Sequence, residues 1–234
     1  MKQLRILSIF LAVLLMVSCN KSEDQASGTG DVMIVAKQSG GSTKYGISIY
    51  AYTYSAFSAV KVVNASDAAK TYDLKANQGF KTSFFYETPE SEYTTTKPAG
   101  ATYNFSADFE NGVHQEFQNT LTEAVLPIPV FERCAYNDVD HQVEIKWTLI
   151  NGASSYAINI LDGTKVVFAS VELKDITSGA YAKKTTGSGW AAGFVPKSGS
   201  TYTVRLFAYL YEPGGGSFNI QSISIADQPV VWGN

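Results

Sequence analysis

The sequence predicts an all-β protein of two tandem β-sandwich domains behind a cleaved secretory signal. Three observations carry this. After Asp31, no window of about a dozen residues keeps a 3.6-residue apolar period. Instead, short runs rich in Val, Ile, Thr, Tyr and Phe alternate with clusters of Gly, Asn, Asp and Ser, the pattern of strands and turns. Charged residues make up only 17% of the chain while aromatics reach 13%, a balance that suits a packed β protein and not a disordered one.

The first element is the signal, residues 1–18. Lys2 and Arg5 are followed by an apolar run from Ile6 to Val17, broken only by Ser8. A basic start, a short apolar region and a small residue before the cut make a secretory signal. The run falls short of the roughly 20 apolar residues that span a bilayer. Met16-Val17-Ser18-Cys19 resembles the bacterial lipobox, with Met16 where that family usually has Leu. The resemblance implies cleavage before Cys19 and lipidation of Cys19, so that the membrane itself is a partner. A multiply acylated cysteine holds far better than one chain, since each buried CH₂ contributes about 0.8 kcal/mol. Asn20 follows the cysteine where an inner-membrane retention signal would have Asp. Glu23-Asp24 is similar to the export signals of surface lipoproteins in gut-type Gram-negative anaerobes. The expected location is the outer membrane, lipid-anchored, with outward-facing display favoured over a periplasmic orientation.

Residues 19–30 read as a lipidated tether, because Gln25 to Gly30 carries Ser, Gly and Thr. The first sandwich is expected over 31–126, with strands at Asp31–Ala36, Tyr45–Tyr54, Ala59–Asn64, Lys70–Leu74, Lys81–Tyr86, Ala101–Phe109 and Val113–Thr120. The last two form a hairpin whose register can be chosen from its apolar residues. A three-residue loop, Glu110-Asn111-Gly112, sets Phe105 opposite Phe117 and Phe109 opposite Val113. A two-residue loop sets Phe105 against Gln118. One slip would flip the whole strand, so the apolar match favours the longer loop with Gly112 left-handed. Leu126-Pro127-Ile128-Pro129 then punctuates the chain, because proline lacks an amide donor.

The second sandwich is expected over 127–234. Val143, Ile145 and Trp147 alternate in one strand, and Tyr156, Ile158 and Ile160 share one face of the next. Asp162-Gly163 turns into Lys165–Ser170. Phe194-Val195-Pro196, Tyr202–Leu206 and Ile220–Ile225 follow. Trp147, Tyr156 after a Gly-Ala turn, and Tyr202 six residues after Pro196 resemble the fibronectin type III pattern. That resemblance implies a tyrosine corner at Tyr202, its hydroxyl bonded back to the preceding loop. The stretch Val171–Trp190 departs from the pattern. The first sandwich is immunoglobulin-like by analogy alone.

Function is less legible. The full chain carries a net charge of −3, and cleavage removes two of its cations, so no phosphate-binding surface and no nucleic-acid partner is expected. With Cys19 committed to lipid, Cys134 is alone, which leaves no disulfide framework and no thiolate cluster for zinc. His114 and His141 read as surface strand residues, and no Gly-x-Ser-x-Gly elbow accompanies them. Gly187-Ser188-Gly189-Trp190-Ala191-Ala192 fits a dinucleotide-loop formula but is followed by proline and more β pattern, not by a helix. Asn137-Asp138-Val139-Asp140 offers too few oxygens for calcium and reads as a solvated turn. No catalytic residue, cofactor or metal is expected.

Two aromatic stripes stand out. Tyr50, Tyr52 and Tyr54 alternate opposite Ile47, Ile49 and Ala51. Phe207, Tyr209 and Tyr211 lie opposite Val204 and Leu206 and run toward a loop containing Gly214, Gly215 and Gly216. Outward rings with polar tips suit a ligand surface; the alternative is packing against the other domain or across strands. The expectation is a non-catalytic surface binding or spacer module whose partner is a glycan or an envelope protein. The architecture resembles accessory lipoproteins of bacterial glycan-uptake systems. The alternative is a structural or adhesive subunit acting through protein contacts.

Overall fold

A computed structural model describes residues 26–214 and 219–233. The signal, Cys19 and the start of the tether lie outside the described residues, as do Gly215 and Gly216. The strands of the first half are β1 (Gly28–Ser39), β2 (Ser42–Thr53), β3 (Phe57–Asn64), β4 (Asp67–Asp73), β5 (Lys75–Asn77), β6 (Phe80–Glu87), β7 (Ala101–Phe109) and β8 (His114–Leu121). Those of the second half are β9 (Phe131–Asn137), β10 (Gln142–Trp147), β11 (Ser155–Asp162), β12 (Lys165–Ala169), β13 (Leu173–Lys174), β14 (Ala180–Lys184), β15 (Ser200–Tyr211) and β16 (Ile220–Trp232). A single 3-10 turn, Glu90–Glu92, interrupts the β pattern, and no α-helix occurs among the described residues.

Three sheets build two sandwiches. A nine-stranded sheet runs β12-β11-β15-β16-β1-β2-β6-β5, with β13 joined to β11. A four-stranded sheet, β4-β3-β7-β8, packs on its β1-β2-β6 end. A three-stranded sheet, β14-β10-β9, packs on its β11-β15-β16 end. Each interface has its own core. The first gathers Val32, Ile34, Ile49, Phe57, Val62, Phe84, Phe105 and Leu121. The second gathers Ile145, Trp147, Tyr156, Ile158, Phe168, Tyr202, Leu206 and Trp232.

The joint between the halves is a parallel pairing of β1 with β16, in register Ile34 to Ser222 and Ala36 to Ser224. Every other pairing among the named strands is antiparallel. Lateral neighbours in a sheet share a face. Ala208, Ser224 and Ala36 therefore form one row. Ala208 belongs to the second core and Ile34, two residues from Ala36, to the first, so both small sheets cover the same face. The connection between the halves crosses that face. Gln221 accepts from the Thr122 amide and donates to the carbonyls of Thr122 and Ala124. Ser224 Oγ donates to the Leu126 carbonyl at 2.6 Å.

Local rules explain most element boundaries. The β7–β8 hairpin takes the three-residue loop: Phe105 faces Phe117, the Phe109 amide reaches the Val113 carbonyl, and Gly112 has φ +83°. Tyr202 opens β15 with its hydroxyl accepting from the Lys197 amide at 2.9 Å, the expected tyrosine corner. β1 starts three residues before the expected Asp31. Gly28, Thr29 and Gly30, which composition places in the tether, belong to the strand. The Gly28 amide is held by Gln115 Oε1, and Gly30 lies on the Phe105 ring, where any Cβ would come within 2.4 Å. Phe194–Pro196 forms no strand, because its place is taken by a loop that packs Phe194 against Trp190. The departing stretch after Val171 contains β14, which pairs along β10. His141 sits in a turn at φ +51° and not on a strand, since the β9–β10 connection needs a left-handed residue there.

Candidate functional site

The face of the nine-stranded sheet opposite the small sheets carries the predicted stripes. In the second half, Phe207 and Tyr209 are half-buried and stack with centroids 6.0 Å apart and planes 11° from parallel. Tyr209 sits in the row Ser155–Tyr209–Ile223–Val35–Gly46, and Phe207 in the row Ala157–Phe207–Ile225–Lys37–Lys44. Burial, then the Glu172 carboxylate, pushes the Tyr209 phenol up to about 12. Tyr211 is half-buried and fixed: its hydroxyl lies 2.9 Å from Ser155 Oγ and its amide donates to Ser154 Oγ. Lys174 stands 5.6 Å over its ring. Gly214 occupies an exposed turn at φ +76°.

The first stripe lies on the same face of the same sheet. Tyr50 is half-buried, and its hydroxyl accepts from Asn77 Nδ2 and Ser83 Oγ. Tyr52 is 42% exposed. Tyr54 does not share the stripe: β2 ends at Thr53, and Tyr54 is 91% exposed in the following bend, edge-on to Tyr52. Part of this face is covered. The segment after β6 carries Tyr93 over Gly46, where an added Cβ would meet the ring at 2.9 Å. Lys37 lies 3.4 Å above that ring and pairs with Glu90. Arg205 binds Asp227 through two bonds of 2.8 and 2.7 Å.

A second feature was not marked by any sequence pattern. A cleft of about 760 Å³ opens in the first sandwich between β2–β6 and β4–β7, bounded by the segment Glu92–Gly100. Four tyrosines line it. Tyr45 comes from β2 and Tyr86 from β6, in the long sheet; Tyr72 comes from β4 and Tyr103 from β7, in the four-stranded sheet. The Tyr72 ring lies 4.8 Å from Tyr86 and 6.3 Å from Tyr103. Tyr103 is buried, whereas the other three keep part of their surface open. Burial is the main cause that pushes Tyr72 up to about 12 and raises Tyr86 and Tyr103. The four come from four strands far apart in sequence, so only folding brings them together.

The remaining candidates are held in local contacts. Asn137 Oδ1 accepts from the amides of Val139 and Asp140, and Nδ2 bridges Asp140 and Glu144, which closes that turn on itself. Lys183 donates to the carbonyls of Thr186 and Ser188 and lies over the rings of Phe168 and Trp190, which orders the Gly187–Trp190 loop. His114 is exposed and bonded to Asp108, chiefly the bond that raises its pKa. Cys134 is half-buried and burial pushes its thiol up to about 11, which disfavours a nucleophilic thiolate. Among the described residues no three His, Cys, Asp or Glu gather as a metal site, and no helix is long and apolar enough to cross a membrane.

Fold and surface define an all-β protein of paired sandwiches with an aromatic face and a tyrosine cleft. No family model and no curated protein matches the chain. Solved structures with similarity include dimeric latent PorU from Porphyromonas gingivalis, at 11% identity and TM-score 0.31, covering 92% of this chain and 21% of that one. A two-domain fibronectin type III segment of chicken tenascin is 14% identical at TM-score 0.30, covering 88% of this chain and 97% of its own. The BSP domain of a biofilm-associated protein is 10% identical at TM-score 0.27, covering 94% and 55%. The chain thus spans about a fifth of the PorU chain it matches.

Proposed function

We propose that this chain is a non-catalytic envelope lipoprotein, held at the outer membrane through Cys19 and facing outward, that works as a binding and spacer module for a glycan or another envelope protein. The observation that supports it best is the parallel β1–β16 pairing. Two sandwiches joined by a flexible linker would reorient freely. Here main-chain hydrogen bonds join them edge to edge, so one rigid body carries both aromatic stripes on a single face. Rigidity suits a spacer because it fixes the reach from the membrane, and it suits binding because no freedom between the two sandwiches is left to lose on contact. The Tyr50 and Tyr211 hydroxyls are already bonded, which holds those two rings in a preorganised surface.

Metabolic labelling with an alkyne fatty acid tests the anchor. Wild type should label and Cys19→Ala should not; label that persists in the variant sinks the lipoprotein reading. Protease treatment of intact cells tests display. An outward-facing chain is degraded, whereas a periplasmic one survives.

A further inference from the structure

We propose that the tyrosine cleft of the first sandwich binds a short neutral oligosaccharide. This deepens the binding reading by giving it a ligand class and a place other than the stripes. The cleft's volume, about 760 Å³, falls among those of small-molecule sites, roughly 300–1,000 Å³. Its rings come from both sheets of the sandwich, so a ligand entering it contacts two rigid walls. A sugar ring offers a flat face of C–H bonds and a rim of hydroxyls. Tyrosine answers both, with an apolar ring and a polar tip. Thr94 and Thr96 add hydroxyls at the mouth.

Charge selects against anionic ligands. The lining carries Lys70 and Lys97 against Asp67 and Glu92. Lys70 is already paired with Asp67 at 3.7 Å. Lys97 donates to the Glu123 carbonyl at 2.8 Å and lies 3.6 Å from its carboxylate. An anionic ligand would have to displace one of these pairings. Burial raises the phenols of Tyr72, Tyr86 and Tyr103 further above neutral pH, so these three meet a ligand as neutral donors and acceptors. A neutral ring rich in hydroxyls fits both conditions. The cleft opens to solvent beside the exposed β4 strand, which leaves room for a chain longer than the pocket.

Calorimetric titration of the purified mature chain tests this. The probes are neutral hexasaccharides of glucose, mannose, xylose and galactose, with hexagalacturonate as the anionic control. At least one neutral probe should bind, and Tyr72→Ala should weaken it by about tenfold or more, close to 1.4 kcal/mol. Ala99→Trp, an exposed change at the rim, should block it even if Tyr72→Ala fails to fold. Val139→Ala, an exposed change in the β9–β10 turn of the second sandwich, should leave it unchanged. Absence of binding to every neutral probe, equal binding of hexagalacturonate, or binding that survives Ala99→Trp overturns the proposal. Loss through Tyr209→Ala alone also overturns the cleft, yet leaves the stripe reading standing. The labelling and protease tests decide the anchor and its display separately.

Discussion

The Lys197 amide donates to the Tyr202 hydroxyl at 2.9 Å, across the turn that delivers the chain into β15. Tyr202 is 4% exposed and packs edge-on against Phe194 and Trp232. The bond therefore ties the entry of the central strand to the second core. Tyr202→Phe keeps the ring and orphans the amide. We expect a loss of about 0.5–1.5 kcal/mol in urea unfolding, the net value of one such bond. An unchanged midpoint would show that the corner contributes nothing to stability.

Gly30 meets the first core in a different way. Its Cα faces the Phe105 ring so closely that a Cβ would lie 2.4 Å from a ring carbon. Phe105 cannot step aside, because it is fully buried and stacks on Phe117 at 4.9 Å. Gly30→Ala should cost about 1–3 kcal/mol, the usual range for overpacking. Thermal melts would read this directly, and a wild-type melting temperature would mean that the ring yields.

These two sites mark what was legible. The tyrosine corner rests on local spacing, and the β7–β8 register rests on an apolar match between adjacent strands. Both are short-range patterns, and both were readable. Gly30 reads as tether by composition because a glycine needed for close approach looks like one needed for flexibility. The β1–β16 pairing joins residues nearly two hundred positions apart, and no hairpin or periodicity announces it. The stripes at Tyr50–Tyr52 and Phe207–Tyr211 followed from strand alternation, but their common face follows only from that pairing. The tyrosine cleft was invisible for the same reason, since its rings lie on four strands of two sheets.

The seam between the halves depends on Gln221. Its side chain is buried and serves the Thr122 amide and the carbonyls of Thr122 and Ala124. Gln221→Ala strands three backbone groups at the joint. A cost of about 1–3 kcal/mol is expected, as for buried polar groups left unpaired. Hydrogen exchange should quicken in 122–126 and at the β1–β16 rungs before the two cores respond. Equal acceleration everywhere would argue against a local seam.

Asp31 makes the same seam sensitive to pH. Its Oδ2 accepts from the Ile220 amide at 2.8 Å, while Oδ1 is buried without a partner. Burial, above all, raises its pKa from 3.8 to about 6, with Glu212 adding to the shift and the Ile220 bond opposing it. A raised folded pKa means that the native state holds the proton more tightly than the unfolded chain does. The stabilisation is complete below about pH 3.8 and is lost as pH rises through about 6. At pH 7.5 the buried carboxylate is therefore a liability of order 2–3 kcal/mol, taking about 1.4 kcal/mol per pH unit. Asp31→Asn removes the charge and keeps an oxygen for the Ile220 amide. The variant should melt higher than wild type at pH 7.5, and the gap should shrink steadily as the pH is lowered toward 4. A gap that is constant across that range would mean that Asp31 does not titrate there.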